Sequence, residues 1–134
     1  MKRLVIPGHH FVYMFRKPKY PIIGEVNGFL ICGRNERQLF TNLESRVTSV
    51  ADKYDLFTTS GELWTLNLEK MVISPAFAKR KWTKMGLIEL FNLSGNSKLI
   101  SQQYSTKSLS SKKLNKIFLD ILELVEISQE NGSS

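Results

Sequence analysis

Apolar residues in the first part of the chain form two short runs that predict β-strands. These runs are residues 2–6 and 10–16, separated by Pro7-Gly8, and the second run is apolar on both faces. Such a strand is expected at the centre of a sheet or under cover on both sides. We therefore predict two strands here, the second of them central or doubly covered.

The dipeptide Asn27-Gly28 lies between two apolar runs. It suits a two-residue type I′ turn, because both of its positions tolerate positive φ. A hairpin of residues 22–26 and 29–32 is therefore predicted. The alternative is one long strand with small residues at Gly24 and Gly28.

A second hairpin is predicted around Ser60-Gly61, with strands over residues 54–59 and 62–68 and a further strand over 71–73. Alternation along the returning strand defines its buried face. That face carries Trp64, Leu66 and Leu68.

Helical spacing replaces alternation in three stretches. Apolar side chains recur at steps of three and four over residues 36–51, over 84–93 after a Thr83 cap, and over 114–125. The sequence Ser94-Gly95-Asn96 is expected to stop the second helix, and residues 98–104 are predicted to form an edge strand. Ser110 or Ser111 is the expected cap of the last helix.

These elements predict the α+β class: a mainly antiparallel sheet with two or three helices. We expect the C-terminal amphipathic helix to pack on the sheet, with the helix over residues 36–51 on the same face. Residues 1–129 form the predicted single domain, and residues 130–134 are predicted to fray.

Composition bears on where in the cell the protein is expected to be. The chain has 134 residues, 42% of them hydrophobic, and a single cysteine, Cys32, which cannot form an intramolecular disulfide. No apolar run approaches the roughly 18 to 20 residues of a membrane span. We expect a cytoplasmic protein without a membrane partner.

The charge distribution gives the main functional hypothesis. The net charge is +7, and residues 75–118 contain nine basic side chains but only one acidic side chain, Glu89. A concentrated positive charge beside an aromatic ring is typical of surfaces that bind phosphate backbones and stack on bases. The candidate nucleic-acid or anion-binding residues are Lys79, Arg80, Lys81, Trp82, Lys84, Lys112, Lys113 and Lys116. Alternatively, Trp82 packs in the core and the lysines are simply solvated.

Catalytic and metal chemistry have less support in the sequence. His9 and His10 are the only histidines, and neighbours on a strand point to opposite faces, so they do not readily share a metal. Cys32 ends an apolar strand and is interpreted as a small core residue. We predict no catalytic residue, no metal and no cofactor, although His10 beside an acid such as Glu25 or Asp55 remains conceivable.

Three hypotheses follow. The leading one is a small non-enzymatic binding protein whose basic surface contacts an anionic partner, in the first place nucleic acid. The second is a protein-interaction module, such as a homodimeric or partner-neutralising accessory protein, with an acidic protein as its target. The third is a small-ligand-binding protein or enzyme with a cavity between sheet and helix, lined by His10 or an acidic residue.

Overall fold

The computed structural model describes residues 10–47, 53–76 and 83–132, and within them six strands and five helices form an α+β fold. The strands are β1 (Val12–Tyr13), β2 (Ile22–Val26), β3 (Phe29–Gly33), β4 (Lys53–Thr58), β5 (Leu63–Asn67) and β6 (Val72–Pro75). The helices are α1 (Glu36–Arg46), α2 (Lys84–Asn92), α3 (Gly95–Ile100), α4 (Ser108–Ser111) and α5 (Leu114–Gly132).

The strands form one mixed sheet in the order β1-β6-β5-β4-β2-β3. Neighbouring strands are antiparallel except for β1 and β6, which pair in parallel with Val12 opposite Val72. Both predicted hairpins are confirmed. Asn27 and Gly28 have φ of 53° and 83°, as a type I′ turn requires.

Two hydrophobic clusters cover opposite faces of the sheet. Helix α1 packs Leu39, Phe40 and Leu43 against one face. Trp64, Leu66 and Leu68, which are predicted to form the buried face of the returning strand, are fully buried in the same cluster. Helices α2 and α5 pack against the other face, which carries Ile23, Leu30, Cys32 and Phe57. The expectation that α1 and the C-terminal helix share a face is wrong, because β2 and β3 have large apolar side chains on both sides.

Side-chain caps fix where the helices begin. The Asn35 side chain accepts a hydrogen bond from Gln38 N and starts α1, and Thr83 accepts from Gly86 N and starts α2 as predicted. Helix α1 ends at Arg46, because Val47 is extended at φ −74° and ψ 135°. Most of the predicted continuation to residue 51 lies outside the described residues.

Several sequence predictions are corrected by the fold. The described residues contain five helices, where two or three are predicted. Residues 98–100 belong to α3, where an edge strand is predicted, because Ser94 caps this helix by accepting from Ser97 N. Ser110 and Ser111 lie in α4, so neither caps α5.

Strand β1 differs from its prediction as well. It has two residues and is the outermost strand of the sheet order, where a central or doubly covered strand is predicted. One side of this segment is not covered, since Val12 and, directly after the strand, Met14 are exposed. The predicted strand over residues 2–6 lies outside the described residues.

The opposite end of the sheet is closed by side-chain amides. Asn96, at the start of α3, accepts from Leu30 N at 2.6 Å and donates to Leu30 O at 2.8 Å, much as a neighbouring strand would. Its amide also donates to Ser128 Oγ of α5 at 2.8 Å. The Asn42 side chain donates to Cys32 O. Because an open strand edge can pair with other chains, these amides protect β3 from edge-to-edge association.

Candidate nucleic-acid interface

The start of helix α2 meets the segment that leads into α5. Lys84 is the first residue of α2, and its Nζ donates to the carbonyl oxygen of Leu109 in α4 at 3.1 Å. This contact brings Lys84 beside α4, the short helix that precedes α5. Lys84 is the described member of the first group of candidate residues, and α4 comes immediately before Lys112 and Lys113, which belong to the second group.

A hydrogen-bonded network orders two of the lysines on α5 and just before it. Asp120 accepts from Lys112 Nζ at 2.8 Å, from Lys116 Nζ at 3.0 Å and from Tyr104 Oη at 2.6 Å. Lys112 Nζ also donates to Tyr104 Oη at 3.3 Å. The network fixes both ammonium groups relative to the first turns of α5.

The hydrogen bonds of this network change the pKa values of Asp120 and Lys112. Burial alone raises the pKa of the Asp120 carboxyl, but hydrogen bonds from Lys112, Tyr104 and Lys116 outweigh burial and lower that pKa to about 2. The hydrogen bond to Asp120 raises the pKa of the Lys112 ammonium. Asp120 is therefore ionised at neutral pH and offsets part of the local positive charge.

The basic surface is defined here as the described lysines around the start of α5. It comprises Lys84, Lys107, Lys112, Lys113 and Lys116. Lys107 and Lys113 are exposed, and the Lys116 side chain retains 60% exposure despite its ion pair. Lys107 is not among the sequence candidates, although its position five residues before Lys112 is a sequence signal that points to it.

Four candidates, Lys79, Arg80, Lys81 and Trp82, lie outside the described residues. In the sequence they come directly before Thr83 and Lys84. Of the remaining candidates, Lys84, Lys112 and Lys116 have the contacts given above, and Lys113 is exposed beside them.

A groove of about 420 Å³ lies elsewhere, between the described start of the chain and α1. It is lined by His10, Glu36, Arg37, Phe40, Thr41 and Glu44. One wall is fixed because Glu36 Oε1 accepts from Phe11 N at 2.8 Å. Nearby, the Tyr13 and Tyr20 hydroxyls are 2.8 Å apart, and burial raises the pKa of both phenols.

Cys32 has the environment of a core residue. Its side chain is buried, and its Sγ donates to Gln129 Oε1 at 3.1 Å. Burial, reinforced by the charge of Glu126, raises the pKa of the thiol to about 12. The thiolate is therefore scarce at neutral pH. Of the residues placed by the structure, none form a group of three or more His, Cys, Asp or Glu that could hold a metal ion.

Comparison with family models, curated proteins and solved structures gives no match for this chain. Across residues 10–47, 53–76 and 83–132, no helix is both long enough and apolar enough to cross a membrane.

Proposed function

We propose that this protein binds nucleic acid through the basic surface together with the residues that precede it, Lys79, Arg80, Lys81 and Trp82. The hydrogen bond from Lys84 to Leu109 is the observation that carries the proposal, because it brings a candidate lysine of α2 to the segment that precedes the candidate lysines around the start of α5. Lys84 thereby lies next to the segment between Lys107 and Lys112.

The chemistry of the surface suits a phosphate backbone. Several ammonium groups on one surface attract a polyanion and release its counterions, which favours binding at low salt. A lysine ammonium has three donors. Lys112 and Lys116 therefore retain donors for phosphate oxygens beyond those used on Asp120 and Tyr104.

Trp82 would add base stacking to these contacts. Stacking on an aromatic side chain contributes about 1 to 3 kcal/mol per base and tolerates any sequence. Trp82 would stack on single-stranded nucleic acid, because the bases of a single strand are not already paired. The proposal therefore predicts a preference for single-stranded over double-stranded nucleic acid.

Fluorescence anisotropy with a labelled single-stranded RNA and the matching DNA tests the proposal. The logarithm of affinity should fall linearly with the logarithm of salt concentration, by about 0.7 to 0.9 for each phosphate contact. Arg80→Ala should weaken binding and reduce this slope, because it removes one charged contact. Trp82→Ala should weaken binding of single strands, and Trp82→Phe should restore part of it.

Lys70→Ala is the matched control for Arg80→Ala, since Lys70 is exposed in the turn before β6. Thermal denaturation of each variant separates lost binding from lost folding. No detectable binding at low salt would contradict the proposal. A Trp82→Ala variant that unfolds easily yet keeps its affinity would assign Trp82 to the core.

A second candidate function, the binding of a small ligand, has one specific observation in its favour. The groove beside α1 is lined by His10 and by the acidic residues Glu36 and Glu44, although its lining residues come from α1 and the start of the described chain and not from the sheet. Titration of the ¹⁵N-labelled protein with a fragment library should then shift amide signals of α1 around Phe40. Absence of any such shift would count against this function.

A further inference from the structure

Phe15 is held in a conformation that bulky residues rarely adopt. Its φ is +72°, and Arg16 N donates to Met14 O at 2.8 Å across it, the hydrogen bond of a γ-turn. The side chain is 86% exposed. An aromatic residue with positive φ is a genuine outlier, and burial does not explain this one.

The turn persists because both of its ends are anchored. On one side, Met14 N donates to Ile73 O of β6 at 3.0 Å. On the other, the Arg16 guanidinium makes two hydrogen bonds with the Glu62 carboxylate, at 3.0 and 2.7 Å, and lies 4.7 Å from the centroid of the Trp64 ring. Strained residues held in this way cluster at functional sites.

The surroundings of Phe15 form an apolar strand edge. Val12 and Met14 are also exposed, although each is a large apolar residue. Val12 N and Met14 N donate towards β6, so the backbone N–H and C=O of Tyr13 point to the outer side of β1. No strand among the described residues pairs with that side.

Charge next to this edge indicates what would bind there. Lys17 and Lys19 are exposed and flank the buried Pro18, which anchors the chain between them. Arg16 is already paired with Glu62. If a second copy of the chain paired with this edge through its own β1, the lysines of the two copies would repel each other. The carboxylates of an acidic segment would instead attract Lys17 and Lys19.

We propose that the edge of β1, with Phe15 as its anchor, binds an extended acidic peptide segment of a partner protein. The segment adds a strand beside Tyr13, its apolar side chains contact Val12, Met14 and Phe15, and its carboxylates face Lys17 and Lys19. Strand addition of this kind gives affinity through main-chain hydrogen bonds and specificity through alternate side chains. The edge of β1 shares no residue with the basic surface.

Panning a phage-displayed library of random dodecapeptides against the full chain tests the proposal. Acidic peptides with alternating apolar residues should be enriched. Phe15→Asn should lower their affinity by about tenfold or more, as loss of an anchoring aromatic does. The melting temperature of this variant should stay equal or rise, since asparagine tolerates positive φ.

Two control variants locate the effect. Leu93→Asn removes another highly exposed apolar side chain, at the end of α2, and should leave peptide affinity unchanged. Lys17→Glu with Lys19→Glu should abolish binding of the acidic peptides, whereas Lys53→Glu with Lys70→Glu should not.

The proposal would be overturned if acidic peptides were not enriched, or if the enriched peptides bound the Phe15→Asn variant as tightly as the wild type. It would also be overturned if no peptide bound and the protein instead bound phosphatidylserine vesicles in a way that requires Phe15. The last outcome would assign the same residues to a lipid surface.

Discussion

Asn96 shows at the scale of one residue how a buried polar side chain can substitute for a strand. Its amide has both a donor and an acceptor, which matches the backbone of Leu30, and its remaining N–H bonds Ser128 Oγ. The sequence does not reveal this, because asparagine after glycine is typical of a helix end. The partners that make Asn96 structural are 66 and 32 residues away along the chain.

Replacing Asn96 by leucine should destabilise the protein by about 2 to 4 kcal/mol, because the buried backbone groups of Leu30 lose their partners. Urea denaturation measures the change. Gln103→Ala, at an exposed position, is the control and should change stability little. A loss below 1 kcal/mol for Asn96→Leu, roughly the value of one ordinary hydrogen bond, would show that water or a rearranged loop replaces the amide.

Asp120 gives a pH dependence whose sign follows from its pKa. Its pKa is lowered to about 2 in the folded protein, against about 3.9 for an unperturbed aspartate. The ionised carboxylate thus adds stability above the unfolded value, and this contribution is lost as the pH falls from about 4 towards 2.

Urea denaturation at pH 5 and near pH 2 should therefore show a larger loss of stability in the wild type than in Asp120→Asn. Glu69→Gln, at an exposed turn position, should behave like the wild type. Equal losses in the wild type and Asp120→Asn would mean that the lysine and tyrosine hydrogen bonds do not favour the charged form.

Among the elements, those with local turn or cap chemistry are predictable from sequence. Asn27-Gly28 determines the first hairpin, and Thr83 determines the start of α2, since the required groups are within three residues of each other. Helix α3 is missed because serine and glycine suit the end of one helix and the start of the next equally well. The placement of β1 is missed because its partner, β6, is 60 residues further along the chain.

Helix α5 should contribute to stability mainly through the apolar stripe that faces the sheet. Phe118 is 1% exposed, and its neighbour Leu119 is 38% exposed. Phe118→Ala should cost about 3 to 5 kcal/mol in the free energy of unfolding, since it leaves a cavity in the hydrophobic cluster that α2 and α5 form with the sheet. Leu119→Ala, the adjacent control, should cost far less. Similar costs for the two would imply a different rotation of α5 about its axis.

At the scale of the whole molecule, the class of the fold follows from the sequence but the side of the sheet on which each helix lies does not. Strand β2 presents Ile22 to one cluster and Ile23 to the other, so its pattern is compatible with a helix on either face. The charge asymmetry is also visible in sequence. The contact between Lys84 and Leu109 is not, because it depends on how α2 and α4 pack.

Replacing Asp120 should have opposite effects on the stability of the protein and on its affinity for nucleic acid. Asp120→Asn removes the negative charge that offsets Lys112 and Lys116. The variant should be less stable near neutral pH but bind nucleic acid more tightly at low salt, because more positive charge then faces the phosphates. Tyr104→Phe disturbs the same network without changing charge and should not tighten binding.

The most direct test compares two double variants that change net charge equally. Lys107→Glu with Lys113→Glu alters the basic surface, whereas Lys53→Glu with Lys70→Glu alters exposed lysines on and beside the sheet. Binding of a labelled single-stranded RNA is measured at about 50 to 200 mM salt. We predict that the first pair abolishes binding and the second leaves most of it. Equal losses in both variants would show that attraction depends on net charge alone and would contradict a binding surface at the start of α5.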